Sequence, residues 1–182
     1  KGTVDQLNCS HLEIVSEEQQ FRLRGDVSLQ DLSHPQDAYV YGTLSELSAN
    51  TRGVGFLVRN LNPDYNGVPP ILERLGNISF RGEISGYFTD FVTYGQLRTS
   101  LGDVKTDLKL SADKSKGLFA YSGAVKTTDF KLGELLANEQ LGEITFNLDV
   151  HGRHITNQRP TVELKGLIAS IDYSRYRYEN IT

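Results

Sequence analysis

The stretch LGEITFNLDVHG, residues 141–152, is apolar at Ile144, Phe146, Leu148 and Val150 and polar at Glu143, Thr145, Asn147 and Asp149. Successive side chains of a strand point to opposite faces, so this alternation predicts a β-strand with one apolar and one wetted side. The phrase returns at 75–86 as LGNISFRGEISG and, more loosely, at 101–112 as LGDVKTDLKLSA. In the first copy Ile78, Phe80 and Ile84 oppose Asn77, Ser79, Arg81 and Glu83. In the second, Val104, Leu108 and Leu110 oppose Asp103, Lys105, Asp107 and Lys109.

Working outward, the same pattern predicts strands at 12–15, 20–29, 37–47, 87–98, 118–127, 161–171 and 173–181. Turns fall where Gly, Asn, Asp and Lys gather, as at 113–117. Two places break the period. Val54, Leu57, Val58 and Leu61 follow helical spacing over 50–61, with Asn50 or Thr51 as the N-cap. FKLGELLANEQLG, 130–142, fits one helical turn lodged between strands. Gly82, Gly86, Gly123, Gly152 and Gly166 fall inside strands, where glycine marks bulges or bends that let a sheet curl. The expectation is an all-β, mainly antiparallel chain with one or two short helices. On periodicity alone a closed sandwich, whose two sheets cover each other, is the favoured form, and a long, curved, open sheet with a groove-like apolar face is the other.

The 182 residues suffice for one domain. The chain has no methionine and starts at Lys1, so it is expected to be one segment of a larger protein. No stretch approaches the ~20 apolar residues of a membrane-spanning helix. Net charge is −4, with basic residues scattered singly among acids, which argues against a nucleic-acid partner. Cys9 is alone and is expected to be a small, partly buried residue.

Chemistry-bearing patterns are few. NPDYNGVPPILE, 62–73, has Asn62, Asp64, Asn66, Gly67 and Glu73 at calcium-loop spacing, yet position 1 is Asn, and Pro69 and Pro70 remove backbone donors. A Pro/Gly/Asn turn is the better reading. His151 and His154 are three apart, which places them on opposite faces of a strand. His11 and His34 have no companions at ligand spacing. No nucleophile elbow or phosphate loop is present, and the carboxylates fall on wetted strand faces. A non-enzyme without cofactor or metal is expected. Asn8, Asn77 and Asn180 open N-x-S/T sequons, which matter only in a secreted eukaryotic chain.

Three longer stretches carry a family resemblance. FRGEISGYFTDFVTYGQLRTSLGDVKTDLKL (80–110), TDFKLGELLANEQLGEITFNLDVHG (128–152) and IDYSRYRYENIT (171–182) together resemble the TamB/AsmA-like family of translocation and assembly module proteins, in its Bacteroidetes form. Gly82, Gly86, Asp90, Phe91, Val92, Gly95, Leu97, Thr99, Leu101 and Gly102 carry the first run. Tyr121, Ser122 and Gly123 follow as a YSG strand. A turn then comes at Phe130, Leu132, Gly133, Leu135 and Leu136, and a close at Tyr176, Tyr178, Asn180 and Ile181. PPILERLG, 69–76, adds a helix-to-strand passage.

The resemblance implies that 1–182 is one segment of a periplasmic β-groove, with a short helical insertion near 50–75. The parent protein would be anchored in the inner membrane by parts absent here. It would bridge to the outer membrane, carry phospholipid acyl chains along the groove, and work with an outer-membrane barrel of BamA/TamA type. The expected groove-lining residues are Ile78, Phe80, Ile84, Phe88, Leu97, Leu101, Val104, Leu108, Leu110, Ile144, Phe146, Leu148, Val150, Val162 and Leu164, with Asp90 suggesting a register change beside them. Two alternatives remain open: a scaffold that templates outer-membrane strands by edge pairing, and an adhesin-like sandwich that binds glycans through its loops.

Overall fold

In the computed structural model the chain forms one open antiparallel sheet of ten strands, each paired with its neighbour in sequence. The structure describes residues 5–16, 18, 20–34, 37–55, 70–87, 89–113, 117–155 and 161–181. The strands are β1 (Gln6–Val15), β2 (Phe21–Gln30), β3 (Tyr39–Ala49), β4 (Ile78–Tyr87) and β5 (Asp90–Thr99). They continue as β6 (Gly102–Asp113), β7 (Leu118–Lys131), β8 (Leu141–Ile155), β9 (Thr161–Tyr173) and β10 (Tyr176–Ile181). Three short helical pieces accompany them: α1 at 51–55, α2 at Pro70–Arg74 and α3 at Leu132–Leu136. The calcium-like spacing at 62–67 and the helical positions 56–61 lie outside the described residues.

No second sheet covers the first among the described residues, so the sandwich alternative falls. Surface area says the same. A compact protein of 20.3 kDa exposes on the order of 8,800 Å², whereas this chain exposes 12321 Å². No large side chain among the described residues is fully buried. Such a sheet is held by its ladder and by local clusters rather than by one central core.

Two clusters supply the packing, and both sit at one end of the strands. Asn50 caps α1, its side chain accepting the Gly53 amide at 3.0 Å. That cap seats Val54 against Phe21 and Ala49, with Leu23, Leu47, Leu72 and Ile78 around them. In the second cluster Leu101, Phe130 and Ile144 are buried, and Leu75, Leu132, Leu135, Phe146 and Ile171 pack on them. The β5–β6 turn is locked there. The Leu101 amide donates to Thr99 Oγ1 at 3.0 Å and its carbonyl accepts the Lys131 amide at 3.0 Å. The two helical ends are joined by an Arg74 bond to the Leu135 carbonyl, 3.1 Å.

At the far edge a two-residue turn with positive φ at Ser174 (50°) and Arg175 (71°) folds β10 back on β9. This is the turn geometry that matches strand twist. Arg177 then pairs with Asp172 at 2.8 Å. That hydrogen bond is the main reason the Asp172 carboxyl is held below its usual range, with the guanidinium charge adding to it.

Two outcomes are expected. Phe130→Ala lowers unfolding free energy by about 3 kcal/mol in urea titration, because a buried ring is lost from the capped end. The Arg177–Asp172 pair is complete above the ordinary aspartate range near pH ~4 and is lost as pH falls through the lowered Asp172 value. Asp172→Asn therefore speeds amide exchange in β10 at neutral pH, and the difference from wild type closes in acid.

Candidate functional site

Because pairing is sequential and nearly unbroken, alternate residues line up into rows that cross the sheet. One row runs Leu7, Leu29, Val40, Gly86, Phe91, Leu110, Tyr121, Gly152, Val162. The next runs Cys9, Val27, Gly42, Ile84, Thr93, Leu108, Gly123, Val150, Leu164. A third is Leu12, Gly25, Leu44, Gly82, Gly95, Thr106, Val125, Leu148, Gly166. The fourth is Ile14, Leu23, Leu47, Phe80, Leu97, Val104, Thr127, Phe146, Ile168. No charged residue interrupts any of the four. Neighbouring strands lie about 4.8 Å apart, so each row is a lane of roughly 38 Å.

Of the expected lining residues, Ile78, Phe80, Ile84, Leu97, Val104, Leu108 and Leu110 share this face with Ile144, Phe146, Leu148, Val150, Val162 and Leu164. Leu101 does not line a lane. It lies in the β5–β6 turn, 5% exposed, inside the capped cluster. Phe88 lies outside the described residues. Ile78 and Ile144 belong to the capped end as well. The register is continuous from Ser79↔Arg98 to Tyr87↔Asp90, so Asp90 marks the start of a strand after a hairpin and not a shift. Exposure grades across the face: Leu44 is 2% exposed, whereas Val162 and Leu164 are each 56% exposed.

The lanes also include Leu7, Leu12, Val27, Leu29, Val40 and Leu44, which the expected lining omitted. Val27, Leu29, Val40 and Leu44 are signalled by alternation in 21–30 and 39–49, whereas Leu7 and Leu12 lie in β1, of which the sequence pattern marks only 12–15. The stretches that carry the family resemblance begin at Phe80.

The register shifts lie at Cys9/Leu12, Arg24/Gly25, Leu44/Leu47, Thr127/Phe130, Leu141/Ile144 and Thr145/Phe146. The Leu44/Leu47 shift stands opposite Phe80 and Gly82, as a glycine-marked bulge would, whereas Gly86, Gly123, Gly152 and Gly166 lie in regular register. On the β5 side Gly82 and Gly95 pair regularly beside the Phe80 ring. A Cβ on Gly95 would stand 2.7 Å from Phe80 Cζ, and one on Gly82 would stand 2.6 Å from the Gly95 backbone. Gly152 lies likewise beneath Tyr121, with a Cβ there 2.6 Å from Tyr121 Cε1. Large rings folded flat over glycines keep the lane surface apolar while hiding backbone polarity.

No family model, curated protein or solved structure matches this chain. The opposite face is charged, with exposed pairs such as Arg24–Glu13 at 2.8 Å and Lys109–Asp90 at 3.1 Å. Those pairs are solvated and add little stability. His151 and His154 both lie on β8, His151 on the charged face and His154 on the apolar one. No group of three metal-binding side chains occurs among the described residues.

Gly95→Ala is expected to destabilise by about 1–3 kcal/mol through overpacking against the Phe80 ring and the neighbouring backbone. Gly95→Ala combined with Phe80→Leu is expected to recover part of that loss. Chemical denaturation of the single and double variants measures both.

Proposed function

We propose that this chain is a segment of a periplasmic, groove-forming bridge that carries phospholipid between membranes by sheltering the acyl chains on its apolar face. The observation that carries the reading is the set of uncharged lanes crossing nine strands on one side of an open sheet. The lanes are half-buried through the middle of the sheet, with Val40, Leu44 and Leu148 buried, and open at Val162 and Leu164; a contiguous apolar face with such an open side marks contact with another apolar body. Each methylene kept from water is worth about 0.8 kcal/mol, so a tail leaving a bilayer needs cover without polar gaps. A lane of roughly 38 Å is longer than the ~15 Å that a tail spans in one leaflet. The resemblance of 80–110, 128–152 and 171–182 to the TamB/AsmA-like family supports the same assignment, with a BamA/TamA-type barrel as partner.

A second reading has its own observation. All six residues of β10 are exposed, and β1 and β10 are hydrogen-bonded on one side only. Free strand edges invite another strand, which favours a scaffold that pairs with strands of an assembling barrel.

Native mass spectrometry of protein prepared from membranes is expected to show bound phospholipid. Leu108→Asp and Leu164→Asp should each reduce it at least fivefold, with circular dichroism unchanged. Absence of lipid and of apolar-dye binding in the wild type overturns lipid carriage. If Tyr178→Pro in β10 abolishes barrel binding while Leu108→Asp leaves it intact, the scaffold reading takes its place.

A further inference from the structure

The charged face holds a trench that neither reading uses. Its floor is the backbone of one row: Gly25, Leu44, Gly82, Gly95 and Thr106, whose side chains, where present, point to the apolar side. Its volume is about 970 Å³ and its lining runs from β1 to β7. Six steps of about 4.8 Å make it roughly 29 Å long, and walls two residues apart on each strand make it about 7 Å wide. These are the proportions of a single extended polymer, not of a compact ligand.

The walls come from a pattern repeated on alternate strands. β2 supplies Arg24 and Asp26, β4 supplies Arg81 and Glu83, and β6 supplies Lys105 and Asp107, each pair flanking one floor residue. One wall therefore carries guanidinium and ammonium groups and the other carboxylates; Arg81 donates to the Ser45 carbonyl at 3.1 Å and Asp26 accepts the His11 amide at 2.8 Å. With Lys126 and Glu13 at the ends the lining carries four cations and four anions. Arg24 is engaged by Glu13 and Glu46. Glu83, Lys105 and Asp107 form no ion pair among the described residues. Between Glu83 and Asp107, Tyr94 stands 67% exposed.

We infer that this trench binds a neutral linear glycan, with Tyr94 as the stacking platform. Balanced charge disfavours a polyanion or polycation, because a polymer drawn to the wall of opposite charge is repelled by the wall of like charge about 7 Å away. A peptide is disfavoured because the floor's backbone groups already pair within the ladder, leaving none for its N–H and C=O. Sugar hydroxyls both donate and accept, so they satisfy a carboxylate wall and a cationic wall at once. The flat face of a pyranose presents C–H groups that suit an exposed tyrosine ring. The trench lies on the face opposite the apolar lanes, so glycan binding stands or falls independently of lipid carriage.

Isothermal titration with cellohexaose and chitohexaose, beside a heparin hexasaccharide and a neutral hexapeptide, tests it. At least one neutral hexasaccharide should bind, and its disaccharide should bind at least tenfold more weakly because it spans fewer strands. Backbone amide shifts should map to Gly82 and Gly95. Tyr94→Ala should weaken binding at least tenfold while Leu164→Asp, on the other face, leaves it unchanged. No binding of either neutral hexasaccharide, tighter binding of heparin or of the peptide, or an unaltered Tyr94→Ala variant overturns the inference.

Discussion

Register is the constraint on which everything else in this molecule depends. Side chains alternate along a strand with a period of two, so a slip of one residue would exchange the apolar and charged faces. Ten strands joined only to their sequence neighbours leave little room for such a slip, because each hairpin sets the pairing of the next strand. Where the ladder does shift, as at Leu44/Leu47 and Thr127/Phe130, the face is restored within two or three residues. The lanes are the product of that repeated restoration and not of any single sequence motif.

An open sheet of this kind lacks the usual remedy for an apolar face, a second layer. Here the remedy is partial. α1, α2 and α3 concentrate the large side chains at one end of the strands, where Phe21, Leu101, Phe130 and Ile144 are buried. That end stabilises the ladder, and the rest of the face is free to stay solvent-accessible at β9. Buried Thr127 shows how tightly the capped end is arranged: its hydroxyl donates to the Asp103 carbonyl at 2.7 Å, and among the described residues no buried side-chain polar atom lacks a partner. Burial and exposure are divided by strand as well as by end: Val40 and Leu44 in β3 are buried away from the capped end, whereas Val162 and Leu164 in β9 are open.

Much of this was legible in the sequence. Alternation at 78–84, 104–110 and 144–150 located three strands and their apolar side, and the helical turn near 132–136 stood out because its period changed. Three features were not legible. Leu101 follows the apolar pattern of its neighbours, yet hydropathy alone cannot distinguish a strand position from the crown of a two-residue turn. Glycines in strands suggested bulges, and Gly82 does stand at one, but Gly95 and Gly152 leave room for the Phe80 and Tyr121 rings from the neighbouring strand, a contact that depends on register. The trench needed register too. Arg24-Gly25-Asp26, Arg81-Gly82-Glu83 and Lys105-Thr106-Asp107 are visible as cation–x–anion triplets, but only pairing through the intervening strands sets them in file.

The two faces also differ in what a ligand would meet. On the apolar side selectivity would be weak, since dispersion and water release do not distinguish one saturated tail from another. On the charged side the geometry is discriminating: donors and acceptors recur at twice the strand spacing, about 9.6 Å, and only a partner with a matching repeat can use several of them together. A sheet that is permissive on one side and selective on the other can hold a fixed position against a patterned polymer while its opposite face handles a variable cargo. That division follows from alternation alone, because each strand that adds a methylene-rich side chain to one face must add a polar one to the other.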